Sequence, residues 1–379
     1  MSIYVVNEGD SVDTIAAKFG VDASEIIYIN QLLYPYPLAI GQALLIPDDL
    51  GINQENKREL IVNGYAYPYI NERVLQATLP FLTDLSVFSY GFDSSGNLIY
   101  PSIDPKWMIA EALSASVRPI LTLTPFGSDG KFNNQLISDI VNNNEAGNAL
   151  INNILIEVEK ENYEGVDVDF EYIKAEDRDA FTTWVARLTK VMNENGYEVS
   201  VALAPKTSDD QQGLLYQGKD YGGLGAAANR VLLMTYEWGY TYSEPMAVAP
   251  VNKVRRVLDY AVTKIPRSKI SMGIPNYGYD WPLPYQKGVT KATTIGNVEA
   301  VRIAIDHGAI IRYDYTAQTP YFNYWDGGIE HEVWFEDVRS MKAKFELINE
   351  YNLSGAGYWQ IMRLFLANWI LLDSIFTIV

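Results

Sequence analysis

Apolar residues recur along this chain at two different periods, and the alternation between the two sets the expected architecture. Short apolar or alternating runs read as strands at Leu60 to Tyr65, Leu85 to Tyr90, Pro119 to Thr124, Gly165 to Phe170, Val199 to Ala204, Val231 to Tyr236, Ile270 to Ile274 and Gly355 to Trp359. Helical spacing fills the stretches between them, as in Asn148 to Glu159. Strand and helix in regular alternation pack as a parallel sheet covered by helices, and eight repeats close into a barrel. The expected fold class is therefore α/β, a (β/α)8 TIM barrel. The seventh and eighth runs are too far apart for one helix. Between them, residues 279–333 alternate on their own (Ile310 to Tyr315, Pro320 to Tyr324) and hold a helix near Ile295 to His307, which predicts a small α+β insertion walling one side of the barrel mouth. The apolar tail from Leu364 to Val379 carries Asp373 and falls short of the roughly 20 residues a membrane helix needs. It predicts a last packed helix with a short closing strand, and no membrane insertion.

Residues 1–48 follow a separate pattern. Ile3 to Val6 reads as a strand, Asp10 or Ser11 as a cap, and Val12, Ile15, Ala16 and Phe19 as one face of a helix stopped by Gly20. A second helix runs from Ala23 to Ile29 and ends at Asn30. Pro35 and Pro37 hold a loop, and Gln42 to Pro47 returns as a strand. The order is β, α, α, β. A polar linker, residues 49–58, separates this unit from the barrel at 59–379.

Composition narrows the chemistry. The chain has 47 acidic against 29 basic residues, a formal net charge of −18, and no basic run, which argues against nucleic acid or anionic lipid as a partner. It has no cysteine, so thiol catalysis, disulfides and cysteine-held metals are excluded. The two histidines, His307 and His331, lie among polar residues and read as surface positions. No cofactor or metal is called for, and the first residues show no basic and apolar leader of a cleaved signal peptide. The 27 tyrosines and 8 tryptophans suit sugar binding, since ring faces pack on the C–H faces of pyranoses, but a large core uses many of them too.

Candidate chemistry concentrates in Gly165 to Tyr172. In an extended strand Asp167, Asp169 and Glu171 project to one face and Val166, Val168 and Phe170 to the other, with same-face neighbours about 6.6 Å apart. With acids this frequent, roughly 0.7 such triplets arise by chance in a chain of this length, so spacing alone identifies nothing. Two readings stand. The strand is a solvated acidic face, or it is an interior strand whose crowded carboxylates keep a proton near neutral pH and so make a general acid. Two other matches are decoys. Gly9-Asp10-Ser11 begins like a GDS esterase but lacks the partner Asp-x-x-His, and Gly223 to Ala228 loosely follows a dinucleotide fingerprint but precedes its strand.

Family resemblance selects among these readings. The pattern YVVNEGDSVDTIAAKFGV, IIYIN, IGQALLIP resembles the LysM module, and this resemblance implies binding of N-acetylglucosamine-containing glycans, peptidoglycan or chitin. The implied groove lies between the loops Gly9 to Thr14 and Asn30 to Leu38, with Gly9, Asp10, Ser11 and Asn30 as contacts. Glu164 to Glu171 resembles the fourth-strand DGxDxDxE signature of glycoside hydrolase family 18, with Glu164 in place of its first Asp. Leu233 to Glu237 resembles the sixth-strand M-x-Y-D with Glu for Asp, and Gly357 to Trp359 resembles the final strand. The third-strand S-x-G-G is replaced by Thr122-Leu123-Thr124-Pro125. Together with the LysM, the chain is similar to the spore-cortex-lytic N-acetylglucosaminidases of spore-forming bacteria. The resemblance implies a monomeric hydrolase of the spore envelope or cell wall in which the substrate's own 2-acetamido oxygen attacks. It makes Glu171 the acid, Asp169 the residue that orients the acetamide, Asp167 its proton-sharing partner and Tyr236 the donor to the acetamide oxygen. Trp359 would floor the bound sugar, with Glu237, Tyr65, Tyr277 and Trp238 as further contacts. A chitinase with the same machinery, or a catalytically silent glycan binder, stays open at this stage.

Overall fold

A computed structural model describes residues 1–48 and 57–379. Eight parallel strands form the centre: Arg58–Ala66, Asp84–Phe92, Arg118–Leu123, Gly165–Val168, Glu198–Leu203, Arg230–Leu233, Ile270–Pro275 and Gly355–Trp359. Each pairs with the next in register, and the eighth pairs with the first (Gly355 beside Ile61), which in turn pairs with the second (Asn63 beside Asp84). The sheet is therefore a closed barrel. Helices such as Asn144–Glu161, Arg178–Glu194 and Val338–Glu350 bury their apolar stripes against it: Leu150, Ile154 and Val158 of the first, and Phe181, Trp184 and Leu188 of the second, are fully buried. The tail forms a helix, Leu366–Ile375, and a short strand, Phe376–Ile378, that runs parallel beside Arg58–Leu60. Among the described residues no helix is long and apolar enough to cross a membrane.

Most of the expected linker, residues 49–56, lies outside the described residues. Its last member is not a linker residue at all: Arg58 opens the first barrel strand, and its guanidinium donates to Asn352 Oδ1 (2.7 Å) and the Leu353 carbonyl (2.6 Å). His331 also departs from its expected surface setting. It is mostly buried, with Nδ1 2.8 Å from Asp280 and its ring stacked on Tyr324.

Two smaller units flank the barrel. Between the seventh and eighth strands a five-stranded antiparallel sheet, starting at Gly278–Pro282 and ending at Ile329–Trp334, packs on the helix Asn297–Asp306 around Ile295, Ala300, Ala304, Phe322, Val333 and Phe335. At the amino terminus, strands Ser2–Val5 and Ala43–Ile46 pair antiparallel and enclose helices Val12–Phe19 and Ala23–Ile29. Ser11 caps the first of these helices through its Oγ to the Thr14 amide (3.2 Å), while Thr14 Oγ1 accepts from the Ser11 amide (2.9 Å). Asp10 accepts from Tyr4 OH (2.8 Å) and the Asn7 amide (2.7 Å), and Gly9 sits at φ +84°.

Asn30 ties helix to strand. Its amide donates to the carbonyls of Ile26 and Leu45 (both 2.9 Å) and accepts from the Leu45 amide (2.8 Å). The residue also lines a cavity beside Gln31, Leu33 and Tyr34. The small unit is also tied down. Ile311 N–H donates to the Ile40 carbonyl (2.9 Å), Arg339 donates to the Gly41 carbonyl (3.2 Å), and Gln31 Oε1 accepts from the Leu366 amide (2.8 Å). Gly41 makes this approach possible: at φ +83°, a Cβ there would lie 1.9 Å from the Ile311 carbonyl oxygen. Gly41→Ala should therefore cost about 1–3 kcal/mol and separate the amino-terminal unit from the insertion, read as a lower Tm in thermal unfolding and a larger radius of gyration in small-angle scattering.

Candidate active site

The acid-bearing strand is interior on both faces. Val166, Val168 and Phe170 turn toward the helices and are essentially fully buried, with the Phe170 ring packed among Phe92 (centroids 5.3 Å apart), Phe181 and Trp184 (both 5.7 Å). Pairing with the third strand continues past Val168, since the Asp169 amide donates to the Leu123 carbonyl (2.9 Å). Extended geometry then sends Asp167 and Asp169 to the barrel axis. Asp167 is wholly buried and accepts from Tyr65 OH on the first strand (2.8 Å) and Ser200 Oγ on the fifth (2.6 Å). The solvated-face reading of the strand is thereby excluded.

Electrostatics grade the three acids. Burial pushes the Asp167 carboxyl up, while the Ser200 and Tyr65 hydrogen bonds and the Arg230 charge below it pull it back. Burial also drives Asp169 well above the usual carboxylate range, and the neighbouring charges of Glu171 and Asp167 drive it further. One of its oxygens, Oδ1, has no hydrogen-bond partner among the described residues. Glu171 lies half-buried at the open end of the strand, raised by burial and held back by the Lys219 charge. Two neighbouring carboxyls raised in this way and short of donors resist ionising together. Tyr236 faces the same charges, which together with its burial keep its phenol protonated and hence a donor.

A cavity of about 530 Å³ opens over this group, lined by Asp169, Glu171, Tyr236, Glu237, Tyr216 and Trp359, among others. Trp359 is half-buried, wedged against Phe88 (centroids 4.9 Å apart) and Tyr65 (5.8 Å). Glu237 takes a left-handed conformation (φ +65°) at the exposed rim, and its carboxylate accepts from Tyr277 OH (2.5 Å) and Tyr279 OH (3.0 Å). So the structure brings Asp169, Glu171, Tyr236, Glu237, Tyr65 and Trp359 into one cavity. Tyr65 contributes to the lining but gives its hydroxyl to Asp167. Tyr277 and Trp238 lie outside the lining: Tyr277 is buried and holds Glu237, and Trp238 packs against the core.

Sequence reading missed Ser200, Lys219, Tyr172, Tyr216 and Tyr240. Only Ser200 left a signal. In Val199 to Ala204 the small residues Ser200, Ala202 and Ala204 share one face, the mark of a strand that leaves room at the barrel axis. Ser200 supplies from the fifth strand a hydroxyl that the third strand, with Thr122 in place of serine, does not give to Asp167.

A closed parallel barrel with crowded carboxyls and a tryptophan at its carboxyl-terminal mouth defines a barrel glycoside hydrolase. The chain belongs to the family described as glycosyl hydrolases family 18, whose pattern it matches over residues 109–363, and residues 4–47 match the LysM domain. It is 37% identical to the cortical fragment-lytic enzyme of Bacillus subtilis (strain 168), in an alignment covering 100% of this chain and 99% of the relative. The crystal structure of the Bacillus cereus spore cortex-lytic enzyme SleL superposes with a TM-score of 0.93 at 34% identity, covering 100% of this chain and 99% of that one. A chitinase from Chromobacterium violaceum shares the fold (TM-score 0.77, 24% identity, 83% of this chain and 98% of that one).

Linkage gives the site a measurable signature. A carboxyl whose pKa is higher folded than unfolded favours the fold below its unfolded value, about 3.9 for Asp, and that contribution is lost as pH rises through the folded value. Asp169→Asn removes the titration. The variant should melt above the parent at pH 7, by at least about 2 °C, and the gap should close as pH falls toward 4, as scanning calorimetry across that range would show.

Proposed function

We propose that this chain hydrolyses the glycosidic bond on the reducing side of N-acetylglucosamine in spore-cortex peptidoglycan, by retaining, substrate-assisted catalysis. The observation that carries the proposal is that Asp169 and Glu171, both with raised pKa values, share one cavity with Tyr236 and Trp359. A retaining glycosidase that uses a carboxylate nucleophile needs two carboxyls about 5–5.5 Å apart, on opposite sides of the scissile bond. The acids of the fourth strand approach from one side only, and the cavity's other carboxylate, Glu237 after the sixth strand, is held at the rim by Tyr277 and Tyr279. The nucleophile then comes from the substrate, as in this family the 2-acetamido oxygen does, which limits substrates to N-acetylated amino sugars.

In this reading Glu171, at the open end of the strand, protonates the leaving oxygen and afterwards takes a proton from water. Asp169 accepts from the acetamide N–H and balances the oxazolinium charge, while Asp167, fixed by Tyr65 and Ser200, exchanges charge with it. Tyr236 donates to the acetamide oxygen as it swings to the anomeric carbon. Trp359 carries the ring, and Glu237, oriented by Tyr277 and Tyr279, meets sugar hydroxyls. The amino-terminal unit, residues 1–48, holds the glycan near the barrel of residues 59–379, in a monomer acting at the spore envelope. Support for cortex over chitin comes from the full-length likeness to cortical fragment-lytic enzymes; the likeness to chitinases is one of fold. Replacing Glu171 with Gln should leave the melting curve that of a folded protein and lower turnover about 10²–10⁴-fold. Mass analysis of products from cortical fragments and from chitin oligomers, side by side, checks both acid and substrate: undiminished activity in the variant, or chitin as the better substrate, overturns the assignment.

A further inference from the structure

A second charged group lies behind the acids, and among the described residues no carboxylate is paired with it directly. Lys219, wholly buried, donates through Nζ to the Phe170 carbonyl, in the peptide between Asp169 and Glu171, and to the Ala202 carbonyl (3.2 Å). Its loop is pressed onto the end of the acid strand: at Gly218 a Cβ would lie 2.3 Å from the Ile173 carbonyl oxygen, so only glycine permits the approach. The loop is fastened from the other side by Lys206, whose Nζ donates to the Lys219 carbonyl (3.1 Å). The groups facing the ammonium are few. The acid strand presents Asp169 and Glu171, the fifth strand only the Ala202 carbonyl, and the helix Arg178–Glu194 the Phe181 ring at 5.8 Å. Arg178 on that helix is turned to Asp220 (3.4 Å), and Asp167 is answered by Arg230 across the barrel.

A wholly buried ammonium that donates to two neutral carbonyls is costly unless negative charge stands nearby. A pair of carboxyls sharing one proton carries one negative charge, and Lys219 carries one positive. We propose that Lys219 is a positioning residue for the acid pair: it fixes the peptide between Asp169 and Glu171, and its charge sets the pair to hold one proton, not two, through the working pH range. This rests on the role given to Glu171 above. Desolvation lowers the lysine itself to about 8 while the two carboxyls hold it up, in keeping with a cation whose counter-charge is this pair.

The sign of the effect is definite. The cation favours ionised carboxyls, so its loss raises both ionisations of the pair, and with them both limbs of the pH–rate profile. Lys219→Met, assayed on soluble cortical fragments, should shift the acid and alkaline limbs upward by about one to three pH units, and Lys219→Arg, which keeps the charge, should move them less. A lysine that only braced the loop would lower kcat and Tm with both limbs in place, and that result overturns the proposal. If Lys219→Met does not fold, infrared difference spectra of the parent against Asp169→Asn and Glu171→Gln decide the matter: one protonated carboxyl in the pair at pH 6–7 is expected, and two or none overturns it. Full activity in Glu171→Gln would sink the reading of the site itself, whereas an inactive Glu171→Gln with unmoved limbs in Lys219→Met sinks only the role of the lysine.

Discussion

Three carboxyls packed into one end of a closed barrel are the constraint on which the rest of the molecule depends. Removing an isolated carboxylate from water costs several kcal/mol even after relaxation, so a fold that buries two and half-buries a third must either neutralise them or supply partners. This one does both. Asp167 receives two hydroxyl donors and lies near Arg230, which is itself anchored by Asp84 (2.7 Å) and Glu198 (3.1 Å) together with Arg118. Asp169 has no such donors among the described residues, and burial with the Glu171 charge raises it well above the usual carboxylate range. The barrel floor thus holds an ordered ion network, and the mouth holds an under-satisfied pair. That gradient, from paired charge below to raised carboxyls above, leaves reactivity at the open end.

The flanking units extend the same logic. Glu237 is not left free at the rim but is gripped by Tyr277 and Tyr279, which stand where the chain leaves the seventh strand for the insertion. The insertion's core includes Ala39 of the amino-terminal unit, and the Ile40 carbonyl accepts from Ile311. The amino-terminal unit thus packs on the insertion, and strand pairing within the insertion, Gly278 beside Ile295, leads to the two phenols that hold a carboxylate on the cavity wall.

The parts legible in the sequence were those written in local periodicity. The eight strands, the insertion, the four-element amino-terminal unit and the sharing of one strand face by Asp167 and Asp169 follow from spacing, because each depends on residues a few positions apart; that this face is the inward one does not. What stayed hidden depends on residues far apart in the chain. Ser200 meets Asp167 across 33 positions and Lys219 meets Phe170 across 49, and nothing in Gln217-Gly218-Lys219-Asp220 distinguishes a lysine destined for full burial from a solvated one. Asn30 was placed correctly at a helix end, but its hydrogen bonds to Leu45, 15 positions on, show only once that strand lies beside it. Tyr277 and Trp238 show the same limit: aromatic identity suggests a sugar contact, and it takes the fold to show that Tyr277 holds Glu237 and that Trp238 packs against the core.

The replacement of the usual sixth-strand aspartate by Glu237 follows the same reasoning one step further. A longer side chain at this point reaches beyond the backbone that carries Tyr236, and left alone it would lose more rotamer freedom on binding than an aspartate does. Here two phenols hold it in one orientation before any ligand arrives, and the left-handed backbone at Glu237 turns the side chain outward toward them. The ordering cost is met during folding, not during binding. An acceptor fixed in this way, in the same cavity as Asp169 and Glu171 but held by its own pair of phenols, is set to meet a hydroxyl and not to attack.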